Sequence, residues 1–207
     1  MDDLIAVIPA AGAGKRLGLG INKAFAKINS VPLLVHCLTM LSRTKLVKRA
    51  IVVLAPDEVE EGTALLASYQ AKHFSDLPFV VVAGGKERQD SVANALAAIT
   101  ESEGYVAVHD GARPFAGTEV FARTLEAAKE HGAAIAAVPV KDTIKVVNAD
   151  GEVTATPNRS TLYAVQTPQI FEVNLLKRAY QFLAEQPAQV TDDASVVELL
   201  GHKVVVA

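Results

Sequence analysis

Residues 9–25 read Pro-Ala-Ala-Gly-Ala-Gly-Lys-Arg-Leu-Gly-Leu-Gly-Ile-Asn-Lys-Ala-Phe, directly after the apolar run Ile5-Ala6-Val7-Ile8. Small residues at Pro9, Ala10, Ala11 and Gly12 let backbone N–H groups come close to an anion. A helix opening after such a loop adds the positive end of its dipole. Arg16 and Lys23 place two full charges beside the cradle. The pattern describes a phosphate site, for a nucleoside triphosphate. Two commoner glycine loops fit poorly. The dinucleotide fingerprint needs G-x-G-x-x-G and an acid roughly 20 residues on, whereas Gly18 falls one position late and 30–35 holds no acid. The P-loop needs Gly-Lys-Ser/Thr, and Gly14-Lys15 is followed by Arg16. A purely structural tight turn would leave the two following cations without a reason.

Other polar clusters punctuate an alternation of strand-like and helix-like stretches. Strands are expected at 5–9, 50–55, 79–83, 105–109 and 133–138, with later ones near 162–165 and 203–206. Helices are expected at 31–42, 57–72, 87–99, 117–131, 172–185 and 192–200. Continuous Val/Ile/Ala runs alternating with helices argue for a three-layer α/β fold with a mostly parallel sheet. Ligands of such sheets bind beyond the carboxyl ends of the strands. The clusters fall there: 10–12 after the first strand, 84–91 after the third, 110–113 after the fourth and 142–143 after the fifth.

Each cluster has a chemistry. Gly84-Gly85 before a helix allows backbone donors and acceptors to meet a flat ligand such as a pyrimidine edge, and Ser91 sits one turn into that helix. His109-Asp110 suggests a metal pair, but His36, His73, His131 and His202 lack ligand spacing, so no protein metal cage is expected. Asp110 reads as holding a substrate hydroxyl or helping to place Mg²⁺, and Arg113 as a phosphate partner. Mg²⁺ itself binds mainly triphosphate oxygens, with few protein ligands. Residues 142–156 form two β-patterned runs about Asp150-Gly151, a hairpin with too little apolar content for its own core. It is expected to project and pack on a second subunit, a fold-back onto its own domain being the other reading.

Composition bounds the rest. The 207 residues suit a single domain, 1–207, carrying the hairpin as an excursion. A net charge of −3 gives no nucleic-acid surface. No run approaches the roughly 18 apolar residues of a membrane span. The opening Met1-Asp2-Asp3 lacks the positive region of a secretory signal, so a cytoplasmic location is expected, or a plastid-like compartment after removal of a transit peptide. The single cysteine, Cys37, reads as a buried small hydrophobe.

Six blocks in order resemble the 2-C-methyl-D-erythritol 4-phosphate cytidylyltransferase family, nucleotidyltransferases with a glycosyltransferase-A-like fold. They are Pro9-Ala10-Ala11-Gly12, Gly84 to Ser91, His109-Asp110-Gly111-Ala112-Arg113-Pro114, Asp142-Thr143-Ile144-Lys145, Gln166-Thr167-Pro168-Gln169 and Thr191-Asp192-Asp193-Ala194-Ser195. The resemblance implies cytidylyl transfer from CTP to a polyol phosphate. It gives Ala10, Gly85, Lys86 and Ser91 to cytosine, and Pro9, Gly12 and Gly111 to the ribose. Relatives often carry an acid at Lys86, which implies recognition there through the backbone. Arg16 and Lys23 would grip the triphosphate and Arg159 the acceptor phosphate, with hydroxyl donors from Thr143, Thr167 and Thr191. Arg159 and Thr143 would belong to an arm reaching the neighbouring subunit's site in a homodimer. Taken singly, Arg159 also reads as a solvated charge, and Thr191 as a helix N-cap. Relatives continue past Ala207 through an Asn-x-Lys segment and a last helix, so the family's second acceptor-side lysine is not in this sequence. A ribitol 5-phosphate cytidylyltransferase, a catalytically silent nucleotide-binding homologue and, less well, a nicotinamide oxidoreductase are the alternatives.

Overall fold

The strand Leu4–Pro9 (β1) is buried along almost its whole length and pairs in parallel on both edges. The structure is a computed structural model describing residues 3–12 and 22–207. The neighbours of β1 are Val47–Leu54 (β4) and Tyr105–Val108 (β6). Beyond β4 lies Phe79–Ala83 (β5), again parallel. On the other side come Tyr163–Glu172 (β10), Ala133–Pro139 (β7) and Val205–Val206 (β11), giving the order β11-β7-β10-β6-β1-β4-β5. Among the described strands of this sheet, β10 alone is antiparallel to its neighbours.

Alternation along the strands divides the core in two. Leu4, Ala6 and Ile8 face one layer, which holds Leu34, Leu38 and Leu41 of α1 (Leu33–Thr44), Leu66 of α2 (Val59–His73) and Phe121 of α4 (Thr118–His131). Ile5 and Val7 face the other, against Val92 and Leu96 of α3 (Arg88–Ala97), Leu176 and Leu183 of α5 (Val173–Glu185), and Val196 and Val197 of α6 (Asp193–Leu199). In α5 the buried positions Val173, Leu176, Tyr180 and Leu183 recur at helical spacing, so one stripe docks on the sheet. Among the described residues no helix is long and apolar enough to cross a membrane.

Three expectations are corrected. The strand near 162–165 is a ten-residue strand, β10, inserted between β6 and β7. Pro168 donates no hydrogen bond and masks the strand in the sequence. The sheet absorbs it as a bulge between Val165 and Gln169, after which Gln169 pairs with Val108 and Ile135. The helix expected from Val31 starts at Leu33. Val31–Pro32 (β3) instead pairs with Lys27–Ile28 (β2), across Asn29 and Ser30, whose φ values are 49° and 65°. Two consecutive left-handed residues are what a two-residue hairpin turn requires. The strand expected at 203–206 is confined to Val205–Val206.

The segment 142–156 carries a short hairpin, Val146–Val147 (β8) with Val153–Ala155 (β9). Every residue from 141 to 156 is exposed. The hairpin lies between β7 and β10, at the sheet end where β1 and β6 also terminate.

Because Phe171 of β10 is fully buried in the second layer, Phe171→Ala should destabilise the fold by about 3–5 kcal/mol. Urea denaturation would measure it; a loss within about 1 kcal/mol would mean that β10 is not a core strand.

Candidate active site

The chain reverses direction across the sheet at β1, passing to β4 and β5 on one side and then to β6 on the other. At such a switch point the loops after the two central strands part and leave a crevice. Here the loops after β1, β5 and β6 meet. Ala10 donates to the Val53 carbonyl at 2.8 Å and Gly84 to the Leu54 carbonyl at 2.7 Å, which fixes both loops to β4. A Cβ on Gly84 would lie 2.8 Å from both the Ala11 Cβ and the Ser91 Oγ, and one on Gly85 would overlap Asp90. Gly84-Gly85 is therefore a steric requirement for bringing the loop against Ala11. Gly111 is similarly tight, a Cβ there lying 3.1 Å from Ile8 and 3.2 Å from Ala10. Among the described residues, nothing lies within 4 Å of where a Cβ on Gly12 would stand.

Ser91 is buried beneath this loop. Its Oγ accepts from the Gly85 N–H and donates to the Glu87 carbonyl, each at 3.1 Å. Its proton is thus committed within the loop, and the direct effect of Ser91 is to orient Gly85. Lys86 is exposed, and its side chain makes no bond with the described residues. Lys23 is exposed in a tight turn, Lys23–Phe25, capped by Asn22, and its ammonium likewise has no partner among the described residues. Arg16 lies outside the described residues.

Past β6, Asp110 is held from three sides. Its backbone N–H donates to the Thr167 Oγ1 at 3.2 Å, and its Oδ2 accepts from the Arg113 Nε at 2.8 Å. Its carbonyl accepts a long contact from the Cys37 thiol at 3.9 Å. Beneath it sits His109, fully buried, edge-on to Phe121 with ring centroids 5.1 Å apart. The His109 Nε2 lies 2.9 Å from the Arg113 carbonyl, which can only accept, so Nε2 carries the proton. Nδ1 then accepts from the Thr167 hydroxyl at 3.0 Å. A neutral imidazole satisfies every group; a charged one would leave the Thr167 proton without an acceptor. Burial, the largest influence, also holds the His109 pKa below its ordinary value of 6.5. Burial and the Asp110 charge push the Cys37 thiol up to about 12, so it is a neutral packing group.

Thr143 and Arg159 lie on the two sides of the arm's base, beyond the end of β7. Both are exposed, and an Arg159 guanidinium N–H donates to the Lys141 carbonyl at 2.8 Å. Thr191 is exposed too, but the N-cap of α6 is Asp192, whose Oδ1 accepts from the Ser195 N–H at 3.0 Å. This corrects the N-cap reading of Thr191: its hydroxyl makes no bond with the described residues.

A buried network escaped the sequence reading. Asp193 is wholly buried and accepts from Arg88 at 2.6 Å and from the Tyr180 hydroxyl at 2.6 Å. Burial and the Asp193 charge raise the Tyr180 pKa far above its ordinary value. For Arg88, burial opposes the charged form, but Asp193 more than offsets it and the pKa is raised. Gln169 donates to the Asp192 Oδ2 at 2.8 Å and accepts from the Ala194 N–H at 3.0 Å. The network ties α3, whose start carries the Gly84–Ser91 loop, to α6, whose start carries Thr191. Its signal was present in Arg88 and Asp192-Asp193, inside two of the quoted blocks, but nothing in the sequence paired them.

The depressed pKa of His109 has a consequence for stability. Below pH 6.5 the unfolded chain takes up a proton that the folded one refuses. Stability is therefore full above that pH and falls beneath it, by at most about 1.4 kcal/mol per pH unit, until the folded state also protonates. In His109→Asn the amide oxygen can replace Nδ1 without titrating. Urea midpoints between about pH 5 and 6.5 should fall less steeply for the variant than for the wild type. Equal slopes would remove His109 as the titrating group.

Residues 4–207 match the family described as 2-C-methyl-D-erythritol 4-phosphate cytidylyltransferase. The chain is 46% identical over 198 residues to the 2-C-methyl-D-erythritol 4-phosphate cytidylyltransferase of Bacillus thuringiensis (strain Al Hakam), covering 96% of this chain and 85% of that protein. The crystal structure of 4-diphosphocytidyl-2C-methyl-D-erythritol synthase from Anaerococcus prevotii matches with a TM-score of 0.84 at 32% identity, over 100% of this chain and 88% of the other. That of the Thermus thermophilus 2-C-methyl-D-erythritol 4-phosphate cytidylyltransferase matches with a TM-score of 0.76 at 31% identity, over 99% and 88%. With six sequence blocks converging on one end of the sheet and family-wide similarity from Leu4 to Ala207, this chain belongs to the 2-C-methyl-D-erythritol 4-phosphate cytidylyltransferase family.

Proposed function

We propose that this chain transfers CMP from CTP to 2-C-methyl-D-erythritol 4-phosphate, giving 4-diphosphocytidyl-2-C-methyl-D-erythritol and pyrophosphate, a step of non-mevalonate isoprenoid precursor biosynthesis in the cytoplasm. The observation that carries the reading is the junction at the switch point, where Gly84 packs between Ala11 and Ser91 and Gly111 packs on Ala10. Only small residues fit there, so a base and ribose meet backbone rather than side chains. In this reading Ala10, Gly85, Lys86 and Ser91 recognise cytosine, Ser91 by holding the Gly85 N–H in place. Pro9, Ala11, Gly12 and Gly111 border the ribose.

The acceptor's phosphate oxygen attacks the α-phosphorus, the bond to the bridging oxygen of pyrophosphate breaks, and the electron pair leaves with pyrophosphate. A phosphate monoester is already ionised near neutral pH, so no base is required. Positioning two anions and stabilising charge at phosphorus is the task. Arg16 and Lys23 serve the triphosphate, and Arg113, Arg159 and the hydroxyls of Thr143 and Thr191 the acceptor. Thr167 acts by holding the Asp110 backbone. Mg²⁺ bound to the phosphates would neutralise charge on the leaving group. The chemistry of Asp110 suits a minor part in holding it, since its Oδ1 makes no bond with the described residues while Arg113 takes Oδ2.

Pyrophosphate release in the presence of CTP, Mg²⁺ and either methylerythritol 4-phosphate or ribitol 5-phosphate tests the acceptor. Turnover with the first alone is expected; preference for ribitol phosphate would overturn the assignment. Equal turnover with CTP, ATP and GTP would overturn the cytosine site.

Exposed Val146, Val147 and Val153 on the arm support a two-fold dimer in which each arm brings Thr143 and Arg159 to the neighbouring site. Arg16→Ala and Arg159→Ala should each be nearly inactive. Mixed under subunit exchange, they should recover about a quarter of wild-type activity, since half the dimers are mixed and one site in two is then intact. Exchange without recovery would assign Arg159 to its own subunit's site.

A further inference from the structure

Three segments that the fold brings to the mouth of the β1 loop converge on one side chain outside the family blocks, Asn22. It is 7% exposed. Its Nδ2 donates to the Ala10 carbonyl at 2.6 Å and to the Glu58 Oε2 at 2.7 Å, and its Oδ1 accepts from the Ala24 N–H at 3.0 Å. Both amide protons and the amide oxygen are therefore in use. No other side chain of this length supplies two donors and an acceptor: aspartate has no donor, and serine has only one.

The three partners come from different elements. Ala10 directly follows β1 and is fixed to β4 through the Val53 carbonyl. Ala24 lies in the tight turn whose first residue is Lys23, and the Phe25 N–H closes that turn on the Asn22 carbonyl at 3.0 Å. Glu58 ends the turn Pro56–Glu58 that follows β4, where its N–H bonds to the Ala55 carbonyl at 2.8 Å. The half-buried Glu58 carboxylate thus braces Asn22, and Asn22 ties the turn that carries Lys23, through the Ala24 N–H, to the Ala10 carbonyl just past β1.

We infer that Asn22, braced by Glu58, is a positioning residue for Lys23: it sets where the ammonium stands relative to the nucleotide loop, without touching substrate. The inference rests on the reading of Lys23 as the triphosphate's cation. An ammonium on a flexible stem gains transition-state contact only if its backbone origin is fixed, and a displacement of about 1 Å can cost on the order of 10²-fold in rate.

The test uses steady-state kinetics with CTP and methylerythritol phosphate, with urea midpoints as the folding control. Asn22→Asp turns both donors into a carboxylate facing the Ala10 carbonyl and Glu58. It should lower kcat about 10²-fold while KM for CTP changes by less than about threefold. Adding Glu58→Gln gives the carboxylate at 22 a donor in reversed sense, and should restore about tenfold of that loss. Asn22→Ser keeps an acceptor for the Ala24 N–H but loses the clamp, and should still lose about tenfold in kcat. It carries the test if Asn22→Asp does not fold. In a Lys23→Ala background Asn22→Asp should cost little more, because both act through one ammonium. Full activity of Lys23→Ala would remove the parent reading. An impaired Lys23→Ala with an active Asn22→Ser, with multiplying rather than overlapping losses, or with no rescue by Glu58→Gln would overturn the role of Asn22 alone.

Discussion

The parallel pairing of β1 on both edges is the constraint from which the site follows. Leu4, Ala6, Val7 and Ile8 are wholly buried, so both faces of the strand must be covered and both edges paired. Parallel neighbours on each side force every connection to cross a face of the sheet, which places helices in two layers. The chain moves outward to β5 before it returns to β6. The loops after β1 and β6 then leave the sheet side by side, where Gly111 packs on Ala10. Packing at that point is tight enough that Gly84 and Gly111 cannot carry a side chain without displacing Ala11, Ser91 or Ile8. In the proposed function, backbone recognition of the nucleotide would follow from this close packing at the switch point.

A second constraint acts on the opposite layer. Asp193 has no exposure, and a buried charge is tolerated only when paired and hydrogen-bonded. Arg88 and Tyr180 meet that demand from α3 and α5, while Gln169 holds the neighbouring Asp192 and Ala194 from β10. Removing one partner of such a pair leaves the other charge uncompensated, so the starts of α3 and α6 are fixed together. The Gly84–Ser91 loop and Thr191 accordingly belong to one frame. Among the described residues no buried side-chain polar atom lacks a partner, which is why these polar contacts can specify geometry instead of merely being tolerated.

Much of this was legible in the sequence, for stated reasons. Continuous apolar runs such as 50–55 and helical spacing such as Val173, Leu176 and Tyr180 report burial directly, and the fold follows from burial. Loops that carry Gly84-Gly85 and Asp110-Gly111 were legible because they sit at strand ends. β10 was not, because Pro168 interrupts its pattern while the sheet accommodates it with a bulge. The β2–β3 hairpin was missed because Asn29-Ser30 lacks the glycine that usually marks such a turn. The uses of polar side chains were least legible. Ser91 and Thr167 read as ligand donors, yet each gives its only proton to the protein, and Asn22 read as nothing in particular. Which atom a hydroxyl or amide reaches depends on tertiary neighbours 6 to 58 residues away, and local pattern holds no record of them.

The same distinction explains how a chain of net charge −3 can serve two anionic substrates. Screening confines surface fields to about 8 Å at physiological salt, so the total matters less than which cations are committed. Arg88 and Arg49 are spent on Asp193 and Glu101 as structural pairs. Lys23 and Lys86 have no partner among the described residues. The turn that carries Lys23 is held at the Ala24 N–H by the carboxamide of Asn22, and the nearby acid Glu58 accepts from that carboxamide. An ion pair would have fixed the lysine just as firmly, but it would have cancelled the charge that the proposed function gives to the triphosphate. Holding the turn with a neutral clamp separates position from charge, and in the proposed function it leaves the cation's field for the triphosphate.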